Sequence, residues 1–244
     1  MKDKIRNLKI KIFADGADLN SIKKLNDISY ISGFTTNPTL MRKAGVVDYK
    51  KFAIDVLKVV KNKPISFEVF ADDIKKMEIQ AMEIAGWGNN ANVKIPITNT
   101  KGDSTVELLE KLSNRGVVCN ITAIFTLDQL DGVLKVLSSK TPAILSIFAG
   151  RIADVGIDPI NIMRDSVKLA KIKPKSSILW ASTREVINIF QAEEAGCKII
   201  TVPHDILKKL TGVGKDLNQS SLETVNMFYQ DAKMAGYTIK TKKN

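Results

Sequence analysis

The stretch Asn92-Val93-Lys94-Ile95-Pro96-Ile97 sets one cation inside a run that otherwise reads as a buried strand. Desolvating an ammonium is costly, and the usual relief is a depressed pKa that leaves a neutral, nucleophilic amine. Such an amine attacks carbonyls, so one reading of Lys94 is a Schiff-base lysine. The other is a lysine at a strand end whose stem snorkels to solvent. What lies around the stretch decides between them.

Outward from Lys94, short apolar runs alternate with amphipathic segments. The strands expected are Leu8–Ala14, Gly33–Thr36, Ile65–Phe70, Asn92–Ile97, Val117–Ile121, Ala143–Phe148, Ile178–Ala181 and Lys198–Val202. Between them, helical periodicity covers Leu19–Ile28, Tyr49–Val60, Asp73–Gly86, Ser104–Asn114, Leu127–Leu137, Pro159–Ala170 and Arg184–Glu194. Asp103-Ser104 reads as a helix cap, and Gly116 and Gly196 sit where helices should stop. Strands that alternate with helices pair in parallel, and eight such units close into a barrel of about 250 residues. The 244 residues therefore read as one α/β domain over 1–244, a single (β/α)8 TIM barrel with an extra C-terminal helix. The helical tail, about 211–244, comprises a loop Thr211–Ser220 and a helix Leu222–Ala235, after a short helix Asp205–Leu210. It is expected to pack across the barrel or against a partner subunit, which points to a homo-oligomer.

Composition narrows the chemistry. The only histidine, His204, follows Pro203 at a strand-to-helix turn, where capping or a solvent-facing role suits it better than catalysis. Histidine-dependent triads and histidine-rich metal sites are thereby disfavoured. Cys119 and Cys197 lie in apolar runs without a CxxC pattern and read as buried free thiols. The net charge of +11 comes from lysines scattered along helices, with a short cluster only at Lys240–Lys243. Without an aromatic-interleaved basic stripe it suggests a solvated surface that attracts small anions, not a nucleic-acid interface. No apolar run is long enough to span a membrane and no signal-peptide core is visible, so a soluble cytoplasmic protein is expected.

In a barrel, chemistry belongs at the C-terminal ends of the strands. Polar residues interrupt the apolar runs there: Asp15, Thr36 and Asn37, Glu68, Lys94, Asn120 and Thr122, Ser146, then Ser182 and Arg184. Each alone has a structural use, such as capping a turn or shaping the bend before Pro38. Together, an acid, a buried amine, amides and hydroxyls around one mouth suit a polyhydroxylated carbonyl compound. Arg151, Ser182 and Arg184 suit a terminal phosphate.

At this point the chain resembles the transaldolase family over nearly its whole length. The carrying motifs are Ala14-Asp15, Thr35-Thr36-Asn37-Pro38, Val93-Lys94-Ile95-Pro96, Cys119-Asn120-Ile121-Thr122, Phe148-Ala149-Gly150-Arg151 and Ala181-Ser182-Thr183-Arg184. The resemblance implies a Schiff-base lysine, matched by Lys94, with Asp15 as general base and acid. It also implies that Glu68 and Thr122 shuttle protons through a water. Thr36, Asn37, Asn120, Ser146 and Phe148 then form the sugar site, and Arg151, Ser182 and Arg184 the phosphate site. The implied reaction moves a dihydroxyacetone unit between phosphorylated ketoses and aldoses, as from sedoheptulose 7-phosphate to glyceraldehyde 3-phosphate, without metal or organic cofactor. It belongs to the pentose phosphate pathway or to a dedicated sugar pathway.

A lyase that releases dihydroxyacetone is the alternative, and a non-catalytic sugar-phosphate-binding barrel a further one. Glutamine and tyrosine tend to mark the related fructose 6-phosphate aldolases where this chain has Glu68 and Phe148, so both positions favour transfer. Gly16 stands where a threonine is common in the family, and Trp180 is bulkier than expected. Trp180 and Thr183 are thus expected to shape the phosphate end or the acceptor pocket.

Overall fold

The computed structural model describes Ile5 and residues 7–241; Lys242 and Lys243 of the basic tail cluster lie outside them. Eight parallel strands close in chain order into a barrel. They are β1 (Lys11–Asp15), β2 (Ile31–Thr35), β3 (Ile65–Glu68), β4 (Ala91–Pro96), β5 (Cys119–Ile124), β6 (Ala143–Ile147), β7 (Ser176–Trp180) and β8 (Ile199–Pro203). Each expected strand is present, with ends shifted by up to three residues. The largest shift at a C-terminal end is in β5, which was expected to stop at Ile121. It continues past a register irregularity between Ile121 and Ile124, where Ala123 adopts φ +58°. Irregularities of this kind re-aim side chains beside active sites, and this one follows Thr122 directly.

The helices are α1 (Leu19–Asn26), α2 (Pro38–Lys43), α3 (Tyr49–Val59), α4 (Ile74–Ala85), α5 (Val106–Asn114), α6 (Leu127–Val136), α7 (Ala149–Asp154), α8 (Pro159–Leu169), α9 (Ile187–Glu194), α10 (His204–Lys209) and α11 (Leu217–Met234). Gly116 and Gly196 end their helices at φ +82° and +85°, a conformation that suits glycine. Three expectations need correction. The cap position of α5 is Thr105, not Asp103-Ser104: the Ser104 hydroxyl does accept from the Val106 amide at 3.3 Å, while the Thr105 hydroxyl donates to the Pro96 and Ile97 carbonyls. The α9 helix starts at Ile187 because the Asn188 side chain captures the Arg184 and Glu185 amides at 3.0 and 2.9 Å. The tail loop is shorter than expected, since Asp216 caps α11 by accepting from the Gln219 amide.

Strand alternation sorts side chains into two cores. Outward-facing residues such as Ile12, Phe67, Ile95, Ile121 and Trp180 pack against the helix layer in one large cluster. Inside the barrel, Phe13, Ile144, Leu179, Ala181 and Ile199 form a smaller one. Gly33 makes room for that plug, because a Cβ there would sit 2.6 Å from the Phe13 ring. With the barrel interior plugged by apolar side chains, the polar residues crowd at the strand C-terminal ends.

The α11 helix does not pack across its own barrel. None of its residues is buried, and Leu222, Val225, Phe228 and Tyr229 are exposed. Among the described residues no helix is long and apolar enough to cross a membrane.

Candidate active site

Lys94 projects from β4 and is only 8% exposed. Its Nζ lies 3.1 Å from Glu68 Oε2 on β3 and donates to the Thr36 carbonyl at 3.1 Å. The cost of burying the ammonium is thus offset by an anion and a carbonyl, and the stem does not snorkel to open solvent. Strand pairing sets Glu68 opposite Lys94, and Lys94 opposite Asn120 on β5. The parallel register therefore brings three chemically distinct groups into one row.

Asp15 ends β1 opposite Thr35, whose hydroxyl donates to its carboxylate at 2.8 Å. The Thr35 hydroxyl also contacts that of Thr201 on β8. Burial raises the Asp15 pKa above the ordinary carboxylate value, and Glu68 adds to the rise, while the Lys94 charge and the Thr35 hydrogen bond oppose it. Thr122 Oγ1 is buried without a hydrogen-bond partner and Glu68 Oε2 is met only by the Lys94 ammonium at 3.1 Å, so both retain capacity for a water or a substrate hydroxyl.

A polar chain crosses the floor of the site. Asn120 Nδ2 donates to Ser66 Oγ at 2.9 Å, and Ser146 Oγ donates to Asn120 Oδ1 at 2.7 Å. The amide is held at both ends, which fixes its orientation. Tyr49 donates to the Glu68 carbonyl at 3.0 Å from outside, anchoring the end of β3; burial among Phe67, Phe70 and Trp87 raises its pKa.

The cavity reaches α7 through Arg151. Arg151 lies over the Phe148 ring, 5.8 Å from its centroid, and Phe148 tilts against Phe125. Arg184 forks onto Asp154, with Nε 3.1 Å from Oδ1 and a second contact to Oδ2. Ser182 adopts φ +63°, and its carbonyl presses on Gly150 so closely that a Cβ there would meet the oxygen at 1.6 Å. The whole encloses a cavity of about 580 Å³. A larger apolar groove of about 870 Å³ on the barrel flank, lined by Phe70, Ile79, Met82 and Trp87, lacks a comparable nucleophile.

Comparison with known proteins decides the family. The family model described as Transaldolase/Fructose-6-phosphate aldolase matches residues 12–243. The chain belongs to the transaldolase/fructose-6-phosphate aldolase family. A relative named "Probable transaldolase" from Dehalococcoides mccartyi is 36% identical over 202 residues, covering 82% of this chain and 90% of that one. Another of the same name, from Thermoanaerobacter sp. (strain X514), is 33% identical over 232 residues, covering 94% and 100%. A solved orotidine 5'-monophosphate decarboxylase from Metallosphaera sedula shares the barrel at a TM-score of 0.53 with 12% identity, covering 89% and 97%, a likeness of fold alone. The chain is thus an enzyme of the transaldolase/aldolase type.

Every site residue expected of this transaldolase-family chain except Thr36 lines the one cavity. Thr36 is fully buried, and its hydroxyl donates to the Ser66 carbonyl. Its contribution to the site is its own carbonyl, which holds Lys94, while Thr35 takes the cavity position. Trp180 also needs correction: it packs outward against the helices, and only Thr183 of that pair reaches the cavity, donating to the Thr201 carbonyl. His204 does not cap α10, where the cap position is Pro203. Thr35 was quoted from the sequence only within its motif, and Ser66, Thr201 and Asp154 were not singled out. The first three were available from strand parity, since Thr35 pairs with Asp15, Ser66 lies two residues before Glu68, and Thr201 pairs with Phe13.

Proposed function

We propose that this transaldolase-family chain transfers a dihydroxyacetone unit between phosphorylated sugars through a Schiff base on Lys94. The observation that carries the reading is the convergence of Lys94, Glu68, Thr122 and Asp15 on one cavity, with Lys94 and Glu68 3.1 Å apart. Glu68 is near enough to take the ammonium proton, freeing the amine to attack the ketone carbon. Glu68 and Thr122, acting through a water, then protonate the carbinolamine hydroxyl, which leaves as water and gives an iminium. Asp15 takes the proton from the hydroxyl beside the scissile bond. That carbon–carbon bond breaks, its electron pair flows into the iminium, and an aldose phosphate departs from an enamine on Lys94. Attack of the enamine on a second aldose phosphate, with Asp15 returning the proton, completes the transfer.

Asn37, Asn120 and Ser146 suit the hydroxyls of the three-carbon unit. Arg151, Ser182 and Arg184 suit the phosphate, and the +11 net charge favours anionic substrates. The apolar Phe148–Phe125 pair at the mouth favours transfer over hydrolytic release, because neither ring can activate water. The exposed apolar side chains of α11 support a homo-oligomer, which size-exclusion chromatography with light scattering tests.

Borohydride reduction with fructose 6-phosphate, followed by peptide mapping, tests the mechanism. An adduct on Lys94 is expected, and an adduct elsewhere refutes the reading. Free dihydroxyacetone formed without any acceptor would instead mark a lyase.

A further inference from the structure

The residue after Asp15 is Gly16, and the ring of His204 lies where a side chain at position 16 would begin. A Cβ on Gly16 would stand 2.5 Å from both Cε1 and Nε2 of His204, closer than real Cβ contacts come, and a tight 3.2 Å from Cδ2. Gly16 is not among the residues with positive φ, so its backbone does not demand glycine. The ring does. Gly16 is buried, and its amide donates to the Thr35 carbonyl at 3.1 Å. The imidazole therefore packs on a link that joins Asp15 to the residue whose hydroxyl holds the Asp15 carboxylate.

The ring is well placed to hold that link still. It projects from the first residue of α10, directly after Pro203, which pairs with Asp15 across the β1–β8 ladder. Its Nε2 is buried without a partner, and burial pushes the imidazole below its usual pKa, so the ring packs in neutral form at pH 7. Glu68, Lys94 and Thr122 lie on β3, β4 and β5, whereas Gly16 and His204 follow β1 and β8; of the three, Lys94 reaches back to β2, through the Thr36 carbonyl.

We propose that His204 is a positioning residue for Asp15: its ring, seated on Gly16, fixes the turn that aims the carboxyl into the cavity. The inference rests on the reading of Asp15 as the base that drives bond cleavage. It predicts that disturbing the seat slows cleavage and leaves imine formation on Lys94 intact.

His204→Ala empties the seat, and Gly16→Ala evicts the ring by contact. Each variant is expected to lower kcat about tenfold with KM nearly unchanged, since small misplacements of a reacting group are costly. Borohydride trapping of fructose 6-phosphate on Lys94 should proceed at close to the wild-type rate in both. The double variant should be no slower than His204→Ala alone, because both changes act through one contact. His204→Ala keeps the test open should Gly16→Ala fail to fold, with melting curves as the check. Unchanged kcat in His204→Ala, losses that multiply in the double variant, or trapping that falls in step with kcat in a folded variant would each overturn the inference. Wild-type protein that traps no ketose on Lys94 would instead remove the functional reading on which the inference stands.

Discussion

Replacing Lys94 with methionine should do more than abolish turnover: it should strand the Glu68 carboxylate. The two side chains are 10% and 16% exposed and 3.1 Å apart. At that distance the attraction is about 5 kcal/mol for an effective dielectric of about 20, against about 1 kcal/mol in bulk water. Losing one partner of so buried a pair costs about 3–5 kcal/mol, because the surviving charge is left uncompensated. A protein of this size melts about 2–4 °C lower per kcal/mol lost, so at about 3 kcal/mol Lys94→Met should melt about 6–12 °C below wild type. The pair Lys168–Asp165 is an internal control, similarly close at 2.8 Å but with side chains 71% and 47% exposed. Breaking it should cost no more than about 1 kcal/mol. Adding Glu68→Gln to Lys94→Met should recover about half or more of the lost stability, because the orphaned charge disappears with it. Thermal unfolding followed by circular dichroism at neutral pH reads all of these. A Lys94→Met variant that melts with the wild type, or a double variant no more stable than the single one, would refute the compensation argument.

Burial raises the Asp15 pKa, so on acidification Asp15 takes up its proton earlier than a free aspartate, and the acid limb of kcat/KM should lie above the ordinary carboxylate range. The same sign governs stability. The charged carboxylate costs stability above its unfolded pKa, and that cost fades as pH falls through the folded value. Asp15→Asn should accordingly melt higher than wild type at neutral pH while losing activity about 100-fold or more. Arg151→Ala should raise KM for phosphorylated substrates about 10-fold to 100-fold, as loss of a charge-assisted contact does, and unphosphorylated analogues should be affected far less. Gly150→Ala would drive a methyl into the Ser182 carbonyl, where the two would meet at 1.6 Å. Overpacking against backbone should cost about 1–3 kcal/mol or more and disrupt the phosphate end, visible as a lower melting temperature and weakened competitive inhibition by inorganic phosphate.

The alternation of strand and helix patterns was enough to reach the closed barrel, because each apolar run needed cover on its outer face. Site residues at strand ends were legible for a related reason: Asp15, Glu68, Lys94 and Thr122 are polar where the pattern requires apolar residues. Thr36 was misread because adjacent threonines look alike in sequence, and only strand register shows which of them faces inward. The six-residue helices at Pro38–Lys43 and Ala149–Asp154 are not among the expected ones: each follows directly on a strand-end motif and adds under two turns of its own, which is little period to read. Asp154 could not be seen as an Arg184 partner, since thirty residues separate them and their meeting depends on how α7 sits beside the end of β7. The Gly16–His204 contact joins opposite ends of the chain, and its only sequence trace is a glycine in a position that does not require its flexibility.

Both cysteines, Cys119 and Cys197, are buried free thiols whose pKa burial pushes up to about 12. At neutral pH they remain protonated and shielded, hence slow toward alkylating and oxidising reagents. The native chain is therefore a quiet background for thiol labelling. A single cysteine introduced on the exposed α11, at Ser221 for example, would carry a probe without prior removal of either native thiol. Lys94, the amine proposed to form the Schiff base, and an experimenter's chosen thiol could then be followed in one molecule by orthogonal chemistries, reduction at one and alkylation at the other.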